Sequence, residues 1–303
     1  LIQKSTSPLE LDLYEPSNRA IQQCGGTSLK YAFVEPISTL EDLTSFVAKY
    51  RNTVTGEVGR SIVVASCNAT GNGTKIEDLS ALESVTKIKG DLIVMNCPTL
   101  RSFAGAEKLL NVTDSVMVQM NSGLKSIKGF TSLRSVGGSL VLEGNKKLRN
   151  LTGLGNLTQI GGSLMLSRTG LRSFRGLEGL EDIGGRLSIV SNSYISDMDG
   201  LNLLSRVGAS MVVKYNQMLK SFSGLGKLTQ IGGSMDIQLN QKLFNLTGLE
   251  HLISMEGSFA LFNNPAMENM DQLESLLRVG GCFVVGSNED LVSIQLPAVK
   301  SIG

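Results

Sequence analysis

Tryptophan is absent, histidine occurs once, at His251, and aromatic residues make up only 5% of the chain. A core with so few rings must be built from aliphatic layers, and flat stacking on sugar rings has little to work with. The four cysteines include no C-x-x-C pair, which argues against a zinc or dithiol redox centre. No run of like charge reaches five residues and the formal net charge is +1, so an electrostatic grip on nucleic acid or on an anionic membrane is not expected. Nowhere do about 18 consecutive apolar residues occur, as a membrane-spanning helix requires. The opening residues, LIQKSTSPLELDLYEPSN, lack the basic start and apolar stretch of a signal peptide, so a secreted form is expected to have lost its leader already.

Against these absences stand 34 glycines and a hydrophobic content of 41%. Both fall into a repeat. GGSLVLEGN (137–145), GGSLMLSRT (161–169), GGRLSIVSN (184–192), GASMVVKYN (208–216), GGSMDIQLN (232–240), EGSFALFNN (256–264) and GGCFVVGSN (280–288) recur about every 24 residues. Weaker copies are GDLIVMNC (90–97), TDSVMVQMN (113–121) and the divergent GRSIVVASC (59–67). A full unit reads G-S-L-x-L-x-x-N-x-x-L-x-x-L-x-G-L-x-x-L-x-x-I-G, a period inside the range of leucine-rich solenoids.

After the Asn, apolar residues fall at steps of three, as at Leu148, Leu151, Leu154, Leu157 and Ile160. Four such steps carry the apolar side about 240° out of line on an α-helix, so one continuous helix does not fit. A flat-sided coil does. The L-x-L strand points alternate side chains inward, bends bring the later leucines inward, and successive strands stack in parallel about 4.8 Å apart. Glycine turns the corners and leucine fills a narrow interior. Asn121, Asn145, Asn192, Asn216, Asn240, Asn264 and Asn288 occupy one fixed place after the strand. Buried amides there are expected to satisfy turn backbone groups that have no ladder partner. A row of ligand-binding amides is the alternative reading of the same column.

The motifs G-S-L-x-[IVL], the following Asn, and the trailing L-x-G-L-x-x-L-x-x-I-G run from about Gly59 to Gly303. In these the chain resembles the receptor L-domain family, the leucine-rich β-helix of insulin and epidermal growth factor receptor ectodomains. It resembles more closely the tandem L-domain-like surface proteins of fungi and protists, such as the Ecm33-type cell-wall proteins. The resemblance implies a right-handed parallel β-solenoid in an extracellular setting. Unlike the receptors, this chain is one long array with no Cys-rich segment dividing two L domains.

Two regions are expected: an N-terminal cap over 1–58 and a solenoid over 59–303. PISTLEDLTSFVAKYRN (36–52) reads as a capping helix near 38–51, with Ser38 or Thr39 as N-cap, Glu41 and Asp42 in the first turn, and Leu40, Leu43, Phe46, Val47 and Tyr50 on one face. Such a cap shields the first coil from strand addition. LPAVKSIG (296–303) stops where another strand would start, so a further cap, stalk or membrane anchor is expected beyond it.

Cys67 and Cys97 take the Asn place on adjacent coils, where strand spacing suits a disulfide between them. Cys24 and Cys282 lie too far apart along the solenoid to pair easily, unless Cys24 takes one of the first two. Four small buried thiols that merely fill space are the alternative. Asn68, Asn72, Asn111, Asn150, Asn156 and Asn245 begin N-x-[ST] triplets, and none falls on the L-x-L strand. Covalent N-glycans on the turns would leave the sheet open.

No reactive constellation is apparent. His251 sits at a turn position that other coils fill with Lys108, Ser132, Asn156 and Lys227. Glu143 and Asp236, the main outward carboxylates, are about 19 Å apart at the sheet spacing, beyond the reach of glycoside hydrolysis. The G-x-G of GLGNLT and GLGKLT lacks the third glycine of a phosphate loop.

The residue between the inward pair of each strand is Ile93, Met117, Val141, Met165, Ser188, Val212, Asp236, Ala260 or Val284, joined one step further by Met95, Val190 and Phe262. So apolar an outward line is a candidate contact face. Strand propensity alone also favours Val and Ile there, with Gln119, Glu143, Lys214 and Gln238 keeping the face wet. The expected function is a non-catalytic extracellular surface or wall protein, with no cofactor or metal, that meets a protein partner or a second copy through this face. A receptor ectodomain and, less favoured, a β-helix carbohydrate-active enzyme are the rival readings.

Overall fold

The computed structural model of the chain describes residues 37–67 and 75–303. These form a parallel β-solenoid with about 24 residues per coil and one helix near its start. Each coil supplies a four-residue strand to a ten-stranded front sheet and a two-residue strand to an eleven-stranded rear sheet. The front strands run from Ile62–Ala65 through Leu140–Glu143 and Leu164–Ser167 to Phe283–Gly286, each paired with its sequence neighbours.

The strand Leu140–Glu143 shows how the pattern works. Leu140 and Leu142 point inward and are fully buried, while Val141 and Glu143 face out. Its register sets Leu164 on Leu140 and Met165 on Val141, so a constant period keeps like residues in columns. The strand then ends in a left-handed residue. Gly144 does this here, and Ser66, Asn96, Met120, Arg168, Ser191, Tyr215, Leu239, Asn263 and Ser287 do it in the other coils. That single reversal swings the following Asn into the interior.

The steps of three become short turns. Leu148, Leu154 and Leu157 each donate a backbone N–H to the carbonyl three residues earlier, on Asn145, Leu151 and Leu154, at 2.9–3.1 Å. Such i→i−3 turns bring every third side chain to the same inner side, and Leu148, Leu151, Leu154, Leu157 and Ile160 are all fully buried. Burying one Leu or Ile contributes about 1.5–3 kcal/mol, so the stability is spread along the whole stack. Besides the L-x-L strand read from sequence, each coil holds a second one: the segment x-I before the glycine pair, Gln159–Ile160 in this coil, pairs with its neighbours as the rear sheet. It was legible only as a corner because two residues carry no alternation.

Glycines let coils touch through their backbones. A Cβ on Gly161 would lie 2.2 Å from the Gly137 carbonyl oxygen, and Gly200, at φ +107°, has the Phe174 carbonyl 2.3 Å from where a Cβ would be. Neither separation admits a side chain without movement of the backbone.

The helix α1, Leu40–Tyr50, is capped by Thr39, whose hydroxyl oxygen accepts the Asp42 N–H at 3.1 Å. Leu43 and Val47 are buried, and Leu40, Phe46 and Tyr50 pack partly buried against the core. Ahead of it, Ile37 bridges in parallel to Val64, donating to the Val63 carbonyl and accepting from Ala65 N–H at 2.9 Å each. That bridge closes part of the first strand's edge. The rest of the expected cap, residues 1–36, lies outside the described residues, as do Cys24, Asn68 and Asn72. At the other end Ser301–Ile302 adds the last rear strand, on Arg278–Val279, and is exposed. Among the described residues no helix is long and apolar enough to cross a membrane.

Candidate functional site

The interior columns hold the coils together. In the Asn column the side-chain oxygen of each coil accepts the N–H of the coil before it: Cys97 to Asn121, Asn121 to Asn145, Asn192 to Asn216, Asn216 to Asn240, Asn240 to Asn264 and Asn264 to Asn288, at 2.9–3.0 Å. Each side-chain amide in turn donates to a strand carbonyl, as Asn145 does to Val118 at 2.7 Å and Asn240 to Val213 at 3.0 Å. Asn121 through Asn264 are fully buried and Asn288, on the last front coil, is half-buried. With both amide ends engaged inside the stack, the column works as a structural ladder. Thr169 interrupts it: its N–H and hydroxyl both donate to Asn192 Oδ1, at 3.1 and 2.6 Å.

A second ladder was missed from sequence. The hydroxyls of Ser115, Ser139, Ser163, Ser210, Ser234 and Ser258 each accept the N–H of the equivalent residue one coil on, at 3.0–3.2 Å. Its signal was the Ser of G-S-L, present in most coils yet easily taken for a turn residue. Arg186 and Cys282 stand in this column, and each gives its own N–H to the serine before it.

Cys67 and Cys97 form a disulfide, with Cα atoms 4.5 Å apart at the head of the Asn column. Cys282 is free and exposed.

The front sheet's outer side is the candidate contact face. Met95, Met117, Met165, Ser188, Val190, Val212, Asp236, Ala260, Phe262 and Val284 are half-buried on it. Ile93 and Val141 are not open: they are 4% and 6% exposed, and Val63 and Ala65 beside Ile93 are 8% and 6% exposed. Val63, Ala65 and Ile93 form a small apolar cluster of their own, with Met95 and Met117 packed against it.

The face carries two polar groups. Gln119 donates to one Glu143 oxygen at 3.0 Å while Arg168 pairs with the other. Further along, Lys214 and the Gln238 amide both bind Asp236, the latter at 2.7 Å. Glu143 and Asp236 sit on strands four steps apart in the sheet and each is neutralised by its own cation. His251 is an exposed turn residue. Among the described residues no group of three or more His, Cys, Asp or Glu side chains is placed to hold a metal ion. An open groove of about 400 Å³ runs between α1 and Ser80–Ser84, with Leu40, Val47, Arg51 and Glu83 in its walls.

Of the sequons, Asn150 and Asn156 are exposed on turns and Asn245 is half-buried on one. Asn150 and Asn245 accept the N–H of the residue two ahead, Thr152 at 3.2 Å and Thr247 at 3.1 Å, in Asx turns. Asn111 lies in the rear strand Asn111–Val112, where it accepts the Ser135 hydroxyl at 2.8 Å. The expectation that every sequon lies off the L-x-L strand holds for these four, though one of them is on a strand of the other sheet.

No known protein-family model matches the chain, and no curated protein matches it in sequence.

Proposed function

We propose that the protein is a non-catalytic extracellular surface or cell-wall protein, whose rigid solenoid presents its front sheet to a protein partner or to a second copy of itself. The observation that carries this reading is the distribution of the sequons: Asn111, Asn150, Asn156 and Asn245 all lie on the rear sheet or the turns. Glycans attached there would clothe three sides of the coil and leave the front sheet bare. A disulfide between Cys67 and Cys97 suits an oxidising compartment. The repeat's resemblance to L-domain surface proteins points the same way. With sparse aromatic side chains, the face is better suited to a protein than to a sugar.

The test has two stages. Intact mass before and after deglycosylation, with peptide mapping under non-reducing conditions, should find glycans on these asparagines and a Cys67–Cys97 peptide. Unmodified asparagines with free thiols would overturn the extracellular reading. Met165→Arg and Val212→Arg on the front, against Gln159→Arg and Gln230→Arg on the rear, then test the face. Association with a partner protein or with itself should fall only for the front pair, and equal loss from both pairs would refute the assignment.

A further inference from the structure

A net charge near zero hides a segregation of sign. The turns that leave four successive front strands, Leu92–Met95, Val116–Gln119, Leu140–Glu143 and Leu164–Ser167, are residues 96–104, 120–128, 144–152 and 168–175. They hold nine of the chain's 28 Lys and Arg residues and none of its 27 Asp and Glu. Three of the nine are paired to acids outside these turns: Arg101 to Glu77, Arg168 to Glu143 and Arg175 to Asp199. Lys125, Lys128, Lys146, Lys147, Arg149 and Arg172 are exposed and, among the described residues, form no ion pair. The turns stack as the strands do: the Lys125 N–H donates to the Arg101 carbonyl at 2.9 Å, the Arg172 N–H to the Arg149 carbonyl at 3.2 Å, and the strands before Lys125 and Arg149 are paired. Arg101, Lys125, Arg149 and Arg172 therefore form one column, its members about 4.8 Å apart. That spacing is inside the screening length of about 8 Å at physiological salt, so their fields add. The column ends at the next turn, 191–199, which brings Asp197 and Asp199 and no cation. No run of like charge in the sequence reaches five residues; the repeat period assembles the ridge.

We propose that this ridge binds a linear acidic polysaccharide, whose regularly spaced anionic groups lie along the column. Such a chain meets at least one cation per coil over a length of about 14 Å, and it relieves a repulsion that no acid within these turns relieves. A nucleic acid carries the same sign of charge. However, the only aromatic residues in the four turns, Phe103 and Phe174, are fully buried, so no ring is left for bases to stack on. The choice of a polysaccharide over a nucleic acid duplex also rests on the extracellular reading above; the ridge itself does not. A glycan on Asn150 would stand beside Arg149 on one coil, while the other three turns carry Ser102, Ser126 and Ser173 at that place.

Binding of the full chain to heparin, a sulfated polysaccharide, measured by calorimetry at several salt concentrations, tests the proposal. Affinity should fall steeply with salt, and neutral dextran should not bind. Lys147→Gln, Arg149→Gln and Arg172→Gln together should weaken binding about tenfold or more and lower the slope of log Kd against log salt by about two. Arg134→Gln, Lys227→Gln and Lys300→Gln remove the same charge from exposed sites elsewhere and should change little. Equal losses in the two triple variants, no binding by the parent, or tighter binding to duplex DNA than to heparin would overturn the proposal. Acetylation of lysines in the unaltered chain gives an answer independent of the variants. Heparin should protect Lys125, Lys128, Lys146 and Lys147 and leave Lys227 reactive, whereas uniform protection refutes the ridge. The glycan and disulfide mapping described above decides the extracellular reading separately, so a glycosylated, disulfide-bonded chain that ignores heparin refutes this inference and leaves that reading standing.

Discussion

Asn240→Ala is the sharpest probe of what holds the coils in register. In the intact chain Asn240 Oδ1 accepts the Asn216 N–H at 3.0 Å and its amide donates to the Val213 carbonyl at 3.0 Å, all fully buried. Truncation orphans one backbone donor that water cannot reach, the Asn216 N–H, and removes one bond from the Val213 carbonyl, which keeps its place in the strand ladder. At about 1–3 kcal/mol for the buried donor left without a partner and about 1 kcal/mol for the bond lost at Val213, the loss is about 2–4 kcal/mol. Asn264 is spared, since its Oδ1 keeps the backbone N–H of residue 240. Asn240→Asp separates the two halves: the acceptor for Asn216 stays, but the Val213 carbonyl loses the side-chain amide and faces a carboxylate, so this variant should be at least as unstable near neutral pH. Urea unfolding followed by circular dichroism measures the loss, and hydrogen exchange should localise it to the coils around Val213 and Asn240. Because repeat proteins need not unfold in one step, both readouts are required. A loss below about 1 kcal/mol in Asn240→Ala would refute the ladder as a source of stability.

Thr169→Asn should work in the opposite direction, restoring the missing amide and gaining about 1 kcal/mol in the same assay. Arg186→Ser should do likewise, by offering a hydroxyl acceptor to Ser210 N–H in the serine column. Gly200→Ala places a Cβ against the Phe174 carbonyl at positive φ, and a loss of about 2–5 kcal/mol in thermal or urea unfolding is expected from strain and overpacking together. Replacing Cys67 and Cys97 together by Ser opens a loop of 30 residues and should cost about 3–4 kcal/mol, matched by adding reductant to the parent. The hydrogen bond from Lys89 holds the Glu57 carboxyl below its ordinary range. Its support for the fold is therefore present above the usual Glu pKa and lost as pH falls through the lowered one, which an NMR titration of Glu57 against Lys89→Met would show.

Features that recur at one period were legible in the sequence. The inward leucines, the buried Asn column and the Cys67–Cys97 pair each reduce to a residue stacked on its equivalent one coil away, so a constant spacing suffices to place them. Features that depend on backbone angles were not. Met120, Tyr215 and Leu239 adopt left-handed conformations that a reader would give to Gly or Asn; the parallel stack and the inward pull of the next Asn impose them. The rear sheet escaped because its two-residue strands are too short to alternate. The burial of Ile93 and Val141 was hidden for a different reason: periodicity says which way a side chain points and nothing about what lies beyond it.

The column geometry also governs how such a molecule changes size. Thr169 and Asn192 are 23 residues apart, where the other hydrogen-bonded rungs are separated by 24, yet the strands on either side stay in register, Leu164 on Leu187. What is conserved from coil to coil is the rung, not the contour length between rungs, so a turn can lose a residue without disturbing its neighbours. Duplicating or excising a whole unit leaves each remaining rung with a partner of the same kind. The molecule can therefore lengthen or shorten like a ruler graduated at about 4.8 Å, and the distance between two points on its front is set by a count of units.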